Sequence, residues 1–417
     1  MDQSDTEILV EALTPRGEGL GAGQRLPFAL PGERVLAPIG AAPITIISAS
    51  PDRATPICRY FGACGGCAAQ HMSASLYGAW KRDSVVAALA KAGVAAKIST
   101  LIDAHGEGRR RATFHARYPH GAAPELGFMR ARSHDIIDIA ACPVLAPGLA
   151  RAIPAAQALA QDLRGLGKPL DIQITATLKG LDIDIRGCGA LALPEMRKLS
   201  ASAERLDLAR ISNHAAIVIE RRAPQIACGG ALAFAPAGGF LQATQAGEEL
   251  LAARAQAALA GARRVADLFC GAGGFALRLA ASHEVHGVDL DVAGIAALRR
   301  SISANPQLRA LSCETRDLVA RPLRADELDR FDAVLFDPPR AGAQAQAQQI
   351  AVSGLTSVFA ISCDAASFAR DARILVDAGF ELGEVALLDQ FRYSPHVEIA
   401  AHFERRAARK KKRSVLG

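Results

Sequence analysis

The sequence predicts an α/β protein whose largest domain contains a parallel, doubly wound sheet. From residue 239 onward, apolar strands alternate regularly with amphipathic helices, which is the pattern of a parallel sheet covered by helices. Short β-prone runs and then a mixed region precede it. The 417 residues are 50% hydrophobic and 22% charged, so the chain can bury a substantial core in two or three domains.

Residues 1–50 predict a small β-barrel at the N-terminus. The runs "TEILVEAL", "RVLAPIG" and "ITIISAS" favour strands, and the Gly/Pro-rich "RGEGLGAG" and "LPGE" favour turns between them. Small barrels often present an open face to single-stranded nucleic acid, although many bind nothing of the kind.

Residues 51–238 predict a central α+β domain. It contains a helical stretch, "ASLYGAWKRDSVVAALAKAG", and alternating strands in "LDIQITATLKGLDIDIRG". A basic and aromatic cluster suited to phosphate contact and base stacking comprises Arg109, Arg110, Arg111, Phe114, His115 and Arg117. A solvated strand face is the alternative interpretation of that cluster.

Residues 239–404 predict the doubly wound, Rossmann-like domain. Its strands are expected in "RRVADLF", "EVHGVD", "FDAVLFD" and "VFAISC", and its helices in "GFALRLAAS", "AGIAALRRSISAN" and "AASFARDARILVDAG". Ligands of such sheets bind at the carboxyl ends of the strands, so functional side chains are expected there.

Residues 405–417 form a basic tail, and the formal net charge of the whole chain is +6. A basic tail suits a polyanion such as RNA, and a disordered solubilising tail is the alternative.

No stretch approaches the roughly 18 uninterrupted apolar residues of a spanning helix, and the N-terminus is acidic where a signal peptide would be basic. We therefore expect a cytoplasmic monomer without a membrane partner. Its nine cysteines are expected to be buried, metal-bound or catalytic rather than paired as disulfides.

The segment "VADLFCGAGGFALRLA", residues 265–280, predicts a cofactor site between a strand and a helix. Its glycines allow a tight turn, and the following helix start offers unpaired N–H groups. The spacing differs from the dinucleotide fingerprint, and Asp289 at the next strand end can accept hydrogen bonds from ribose hydroxyls. These features favour S-adenosylmethionine, with a Gly-rich turn of another Rossmann-like protein as the alternative. Asp317 is expected near the adenine, although many such aspartates only cap helices.

Three further strand ends carry candidate catalytic groups. Asp337 ends an apolar strand and is followed by two prolines and Arg340, which a stiff turn holds at the sheet edge. Cys363 ends the next strand, beside a helix start whose dipole favours a thiolate. A purely structural cysteine would more often lie inside its strand than at the end, where Cys363 is expected. Glu398 lies between a loop and a terminal strand.

These segments resemble the RNA uracil-C5 methyltransferases, which make 5-methyluridine in ribosomal or transfer RNA. The resemblance rests on "FLQATQ" (240–245), "DLFCGAGGF" (267–275), "FDPPR" (336–340), "SCD" (362–364) and "FRYSPHVE" (391–398). It covers residues 239–404, and residues 6–50 resemble the family's N-terminal TRAM-type barrel, which has an OB-like form.

The resemblance implies covalent catalysis on uridine C5, with Cys363 as the nucleophile and Glu398 as the base. It implies that S-adenosylmethionine contacts Gln242, Phe269, Asp289 and Asp317, and that Asp337 lies between cofactor and substrate. The target base would have to be flipped out of its stack. His396 is expected either to brace Glu398 or bind RNA, or to have a structural role.

The chain departs from the family pattern at three positions. Asp364 and Ala365 follow the cysteine where the family usually has Asn-Pro, Thr244 replaces a common Asn, and Arg392 replaces a common Pro. A carboxylate at Asp364 is expected to oppose formation of the Cys363 thiolate.

Four cysteines predict a metal site. Cys58, Cys64 and Cys67 share a Gly-rich loop, and Cys142 follows at a distance, a set that fits either zinc or an iron–sulfur cluster. The resemblance implies a [4Fe–4S] cluster with these four ligands, as in the ribosomal branch, and hence 23S rRNA as substrate. A tRNA methyltransferase and an inactive iron–sulfur RNA-binding protein are the alternatives. Core packing is expected of the remaining cysteines, which are Cys188, Cys228, Cys270 and Cys313.

Overall fold

The computed structural model describes residues 6–37 and 44–405, which form 24 strands, nine α-helices and two short 3₁₀ helices. The strands are β1 (Thr6–Leu9), β2 (Ala12–Leu13), β3 (Gly19–Gly21), β4 (Gln24–Leu26), β5 (Arg34–Ala37), β6 (Thr45–Ser48), β7 (Ile98–Asp103), β8 (Arg111–Arg117), β9 (Glu125–Met129), β10 (Ile136–Asp138), β11 (Leu170–Thr177), β12 (Gly180–Arg186), β13 (Arg210–Asn213), β14 (Ala216–Glu220), β15 (Gln225–Cys228), β16 (Ala231–Phe234), β17 (Arg264–Leu268), β18 (Glu284–Asp289), β19 (Leu311–Thr315), β20 (Ala333–Phe336), β21 (Ser357–Ser362), β22 (Glu381–Leu382), β23 (Val385–Asp389) and β24 (Glu398–Glu404). The α-helices are α1 (Ala74–Lys91), α2 (Ala152–Asp162), α3 (Leu193–Arg205), α4 (Gln245–Ala258), α5 (Ala276–Leu279), α6 (Val292–Ala304), α7 (Ala325–Leu328), α8 (Gln344–Val352) and α9 (Ala365–Asp377).

The largest sheet has nine strands in the order β19-β18-β17-β20-β21-β24-β23-β7, with β22 paired to β24. Strands β17 to β21 are parallel, and β24 is antiparallel to β21 and β23. Both faces of this sheet are covered. Ala333 and Leu335 pack towards α4 and α5, whereas Val334 and Phe336 pack towards α1, α8 and α9. The predicted doubly wound sheet is confirmed. Its strands are recognisable as continuous apolar runs in the sequence because both of their faces are buried.

Residues 74–103 belong to this sheet, although the sequence predicts them in the central domain. Strand β7 pairs in parallel with β23, with Leu101 opposite Leu387, and α1 packs against α9. The predicted boundary at residue 239 therefore does not separate the two regions. Pairing of β7 satisfies the backbone groups of β23, which would otherwise form an open sheet edge.

A buried ion pair fixes α1 to the end of β23. Lys81 is almost fully buried, and its ammonium group donates to the Asp389 carboxylate and, at 3.2 Å, to the Phe391 carbonyl. The Tyr77 hydroxyl donates to the same carboxylate at 2.7 Å. Helix α1 thus holds the start of the segment that leads to Glu398.

The central region contains a seven-stranded sheet in the order β10-β9-β8-β11-β12-β13-β14, with α2 and α3 packed on one face. Only β12 and β13 are parallel to each other. This arrangement is the α+β organisation that the sequence predicts.

The N-terminal residues form two three-stranded sheets, β1-β5-β6 and β2-β3-β4, around a small apolar core that includes Ile8, Val10, Leu26 and Val35. The Trp80 indole N–H on α1 donates to the Thr14 carbonyl at 3.0 Å, which attaches this region to the rest of the chain. Residues 1–5 and 38–43 of the predicted barrel, and residues 406–417 of the basic tail, lie outside the described residues.

One predicted element is shorter than expected. The helix expected over "GFALRLAAS" is limited to α5, Ala276–Leu279, because the chain turns at residue 280 and His283 bonds back to the Leu279 carbonyl. Among the described residues, no helix is both long enough and apolar enough to cross a membrane.

Replacing Lys81 by Met is expected to lower the free energy of unfolding by about 3–5 kcal/mol, because the buried Asp389 carboxylate loses its cation. Urea denaturation measures this change. The same substitution at Lys91, which is exposed on the last turn of α1, is the matched control and should change stability by less than about 0.5 kcal/mol. Equal effects of the two substitutions would contradict a stabilising role of the ion pair.

Candidate active site

The glycine-rich loop after β17 turns sharply against β18. Phe269 has φ +63° and Gly273 has φ +86°, both in the left-handed region. A Cβ atom on Gly273 would lie 2.4 Å from the Leu298 side chain, so only glycine fits there. The Phe269 N–H donates to the Val288 carbonyl at 2.8 Å. These contacts form a tight backbone turn beside the end of β18.

Asp289 and Asp317 follow the carboxyl ends of neighbouring strands, β18 and β19. The Asp289 carboxylate accepts the Gly271 N–H at 2.8 Å, so it holds the glycine loop. The Asp317 carboxylate accepts the N–H groups of Val319 and Ala320, at 2.9 and 3.1 Å, and so caps a turn. An ionised carboxylate has about four acceptor positions, so both side chains retain acceptors for a ligand.

The buried Glu248 carboxylate on α4 binds two arginines, Arg278 from α5 and Arg110 from the central region. Arg278 also donates to the Gly274 carbonyl in the glycine loop at 2.7 Å. Arg110 donates to the Gln242 carbonyl at 3.0 Å. One carboxylate therefore ties together the cofactor loop, the Gln242 segment and the central region.

The predicted basic patch at 109–117 is wrong in part. Arg110 is buried in the ion pair with Glu248, and Phe114 is a core residue that stacks on Phe128 with ring centroids 5.3 Å apart. Arg111 donates to the Gly239 carbonyl at 2.7 Å and lies over the exposed Phe240 ring. Alternation along β8 places successive side chains on opposite faces, which a count of basic and aromatic residues overlooks.

Asp337, Cys363 and Glu398 meet at the edge of the sheet, where β20, β21 and β24 are adjacent. Burial and the charges of Glu398 and Asp337 together raise the pKa of Cys363 to about 11, although the charge of Arg340 opposes the increase. The three predicted groups and Arg340 are therefore close enough to interact electrostatically.

Asp364 does not act as the sequence predicts. Its carboxylate caps α9 by accepting the Ser367 N–H at 2.8 Å, and the carboxylates that raise the pKa of Cys363 are Glu398 and Asp337. The dipole at the start of α9, which is expected to favour the Cys363 thiolate, does not offset the increase in pKa that burial of the thiol causes. Thr244, another departure, caps α4 by accepting the Gly247 N–H at 3.0 Å.

Two buried glutamines connect the carboxylates of the site. The Gln242 side-chain amide donates to Asp337 at 2.7 Å, and that of Gln390 donates to Gln242 at 2.8 Å and to Glu398 at 2.6 Å. Burial raises the pKa of Asp337 to about 7 despite the Gln242 hydrogen bond, and raises the pKa of Glu398 well above its usual value. Sequence reasoning missed Gln390, because nothing in a single sequence separates it from other polar residues after a strand.

His396 does not bond to Glu398. Its Nε2 atom lies 3.0 Å from the Arg340 guanidinium, and its ring contacts Phe391 edge-on. The predicted brace between His396 and Glu398 is therefore not formed.

The four predicted metal-binding cysteines line one cavity of about 720 Å³, namely Cys58, Cys64, Cys67 and Cys142. All four are free thiols. Burial, together with smaller effects of the other three thiols, raises the pKa of Cys67 to about 11. Within residues 6–37 and 44–405, no group of three or more His, Cys, Asp or Glu side chains has the arrangement of a metal site. The fold brings the four thiols to one cavity.

Comparison with known proteins finds a family described as tRNA (uracil-5-)-methyltransferase, whose model matches residues 238–406. An uncharacterized RNA methyltransferase of Brucella suis biovar 1 is 41% identical over 409 residues, which are 95% of this chain and 97% of that protein. The 23S rRNA (uracil(1939)-C(5))-methyltransferase RlmD of Salmonella typhimurium is 33% identical, over 85% of this chain and 83% of that protein.

Among solved structures, the Pyrococcus abyssi tRNA (uracil-54, C5)-methyltransferase in complex with S-adenosyl-L-homocysteine matches with a TM-score of 0.73. The match covers 95% of this chain and 99% of that chain at 19% identity. At this identity the likeness concerns the fold.

The Cys363 thiol is expected to react slowly with iodoacetamide at neutral pH and faster as the pH rises towards about 11, since only the thiolate reacts. Replacing Glu398 by Gln removes a negative charge, lowers the pKa of the thiol and should accelerate alkylation at pH 9 by roughly 3- to 10-fold. Peptide mass spectrometry measures the rate. Glu404→Gln, at the exposed end of β24, is the matched control. An unchanged rate in Glu398→Gln would contradict the charge interaction.

Proposed function

Because the chain belongs to the RNA uracil-C5 methyltransferase family, which is S-adenosylmethionine-dependent, we propose that it methylates C5 of a uridine in 23S rRNA by covalent catalysis. The observation that carries this proposal is the meeting of Cys363, Glu398 and Asp337 at three adjacent strand ends. A nucleophile and a base in one site are what the chemistry of C5 requires.

Cys363 and Glu398 divide the reaction into two steps. The Cys363 thiol gives its proton to solvent, its sulfur forms a bond to C6 of the pyrimidine, and the electron pair of the C5–C6 double bond moves to C5 and the C4 carbonyl. S-adenosylmethionine, when bound, would supply the methyl group to C5 and leave as S-adenosylhomocysteine. Glu398 then takes the C5 proton, the C5–C6 double bond re-forms, and the C6–S bond breaks to release the thiolate.

The raised pKa of Cys363 means that little thiolate is present in the free protein. Neutralising the surrounding carboxylates favours the thiolate, since their charges oppose it. A cationic ligand beside Asp337 would have this effect.

We assign the cofactor to the tight backbone turn of the glycine loop. Asp289 and Asp317 have free acceptor positions for ribose and adenine groups, and Phe269 and Gln242 flank the loop on the side of Asp337. The fold supports this assignment, because the first and second strands of a doubly wound sheet present their ends at the same edge.

We also assign a [4Fe–4S] cluster to Cys58, Cys64, Cys67 and Cys142. Their shared cavity and free thiols support a four-thiolate set. Four thiolates can hold either a zinc ion or a cluster, and the resemblance to the ribosomal branch of the family favours the cluster. The loop is close to the active site, since the Ala68 N–H donates to the Tyr393 carbonyl at 2.7 Å, and the cluster would hold this loop in place.

The cluster cysteines and the likeness to the Salmonella 23S rRNA enzyme favour rRNA over tRNA as the substrate. Transfer RNA is the alternative, because the matching family description and the Pyrococcus structure both concern tRNA. An inactive protein is disfavoured, since a decayed site has no reason to keep Cys363 beside Glu398. Action as a cytoplasmic monomer stays a prediction.

The covalent step predicts that RNA containing 5-fluorouridine traps the protein, because the C5 fluorine of the adduct cannot leave as a proton does. Cys363→Ser should abolish both the gel-shifted adduct and methylation, while Cys313→Ser, at a half-buried cysteine on β19, should retain both. Trapping by Cys363→Ser would refute the assignment of the nucleophile.

Mass mapping of 5-methyluridine in rRNA and tRNA from a deletion strain identifies the substrate.

The cluster predicts about four iron atoms and broad visible absorption after anaerobic purification. Cys142→Ser should reduce the iron content and the absorption, with Cys313→Ser again as the control. Metal analysis that finds one zinc ion and no iron would replace the cluster by a zinc site.

A further inference from the structure

We propose that Gln390 is a positioning residue that orients the Glu398 carboxylate for removal of the C5 proton and connects it, through Gln242, to Asp337. The proposal rests on the proposed function and names a residue to which neither the sequence motifs nor the relatives assign a role.

The connection is a continuous chain of three side-chain hydrogen bonds. It runs from Asp337 to Gln242 at 2.7 Å, from Gln242 to Gln390 at 2.8 Å, and from Gln390 to Glu398 at 2.6 Å. Both N–H groups of Gln390 are used, one on each neighbour. These bonds connect the end of β20 with the start of β24, the two strands on either side of β21, and Cys363 directly follows β21.

The direction of these bonds is fixed by the carboxylates at the two ends. Turning the Gln390 amide over would point its oxygen at the Glu398 carboxylate and at the Gln242 oxygen, which is repulsive. The amide of Gln242 is likewise held with its NH₂ group towards Asp337. Each glutamine therefore presents a donor to a carboxylate.

The bond also decides which Glu398 oxygen does chemistry. Gln390 donates to Oε2, and Oε1 receives no hydrogen bond from the residues that the structure describes. Oε1 is thus free to accept the C5 proton, while the electron pair of the C–H bond re-forms the C5–C6 double bond and the thiolate leaves.

Burying Gln390 costs free energy, because one of its polar atoms has no hydrogen-bond partner in the part of the chain that the structure describes. It is fully buried, and its own Oε1 atom has no partner within the described residues. Helix α4 makes room for it at Gly247, where a Cβ atom would lie 2.8 Å from Gln390 Oε1 and 2.9 Å from Gln390 Cβ. A buried amide with an unsatisfied oxygen indicates that its NH₂ group is the functional end.

The charges that face Glu398 are those of Asp337, at the end of β20, and of the Cys363 thiolate when it forms; Arg340 faces Cys363. Two carboxylates and a thiolate in one buried site repel one another. The Gln390 hydrogen bond lowers the pKa of Glu398 and so favours the ionised form that the proton transfer needs.

Gln390→Met tests the proposal, because Met has a similar volume and cannot donate. We expect kcat for RNA methylation to fall by about 10- to 100-fold, as for the loss of a hydrogen bond to a charged group, with KM for RNA changed by less than about 3-fold. The protein–RNA adduct methylated at C5 should accumulate on denaturing gels, since only its breakdown is slowed. The acidic limb of the kcat profile should move to higher pH.

Gly247→Ala provides a second variant, because the added methyl group displaces Gln390 and keeps its amide; it also crowds Thr244 Oγ1 at 2.9 Å, so some loss of stability is expected as well. It should give the same adduct and the same shift of the pH profile to a smaller extent. Gln346→Met is the matched control: Gln346 is also fully buried, and bonds only to the backbone of Leu323. That variant should lose stability without accumulating the adduct.

Turnover without adduct and an unshifted pH profile in Gln390→Met would overturn the proposal, and so would an equal adduct in Gln346→Met. These outcomes differ from failure of the proposed function, in which the wild-type protein itself makes no 5-methyluridine and is not trapped by 5-fluorouridine RNA.

Discussion

The Glu248 carboxylate with its two arginines is the interaction on which the geometry of the site depends. Arg278 reaches it from the helix that follows the glycine loop, and Arg110 reaches it from the central region. Each arginine also bonds to a carbonyl of the segment it supports, Gly274 or Gln242. Since a buried carboxylate cannot be left without a cation, all three segments have to be in place together. The loop for the cofactor, the amide that contacts Asp337 and the central sheet are thereby fixed as one unit.

The second constraint is the burial of three acidic groups in one site. Burial raises the pKa of Cys363, Asp337 and Glu398, and the charge of Asp337 raises the pKa of Cys363 and of Glu398 further. The neutral forms of these groups are therefore favoured over the charged forms. Glutamine amides stabilise the carboxylates without adding charge, which leaves the balance sensitive to any cation that a ligand brings.

The sequence predicted features that depend on local pattern. Strand β18 covers Glu284–Asp289, the residues of "EVHGVD". Asp337 and Cys363 follow two adjacent parallel strands, so they lie at one edge of the sheet, and the antiparallel strand β24 begins at that same edge with Glu398. Features that depend on distant partners were not predictable. Arg110 looks like a surface cation until Glu248, 138 residues away, is seen to bind it, and Gln390 gains its role only from Gln242, 148 residues earlier. The roles of the site residues themselves stay predictions.

The pairing of β7 with β23 sets the order in which parts of the protein can fold during synthesis. The ribosome releases residues 98–103 long before residues 385–389, and the intervening chain contains the entire central sheet. At the usual speed of translation this delay amounts to roughly tens of seconds, during which α1 and the unpaired strand β7 lack their partners in the catalytic sheet. The newborn polypeptide can therefore close its catalytic sheet only after the whole central sheet has left the ribosome.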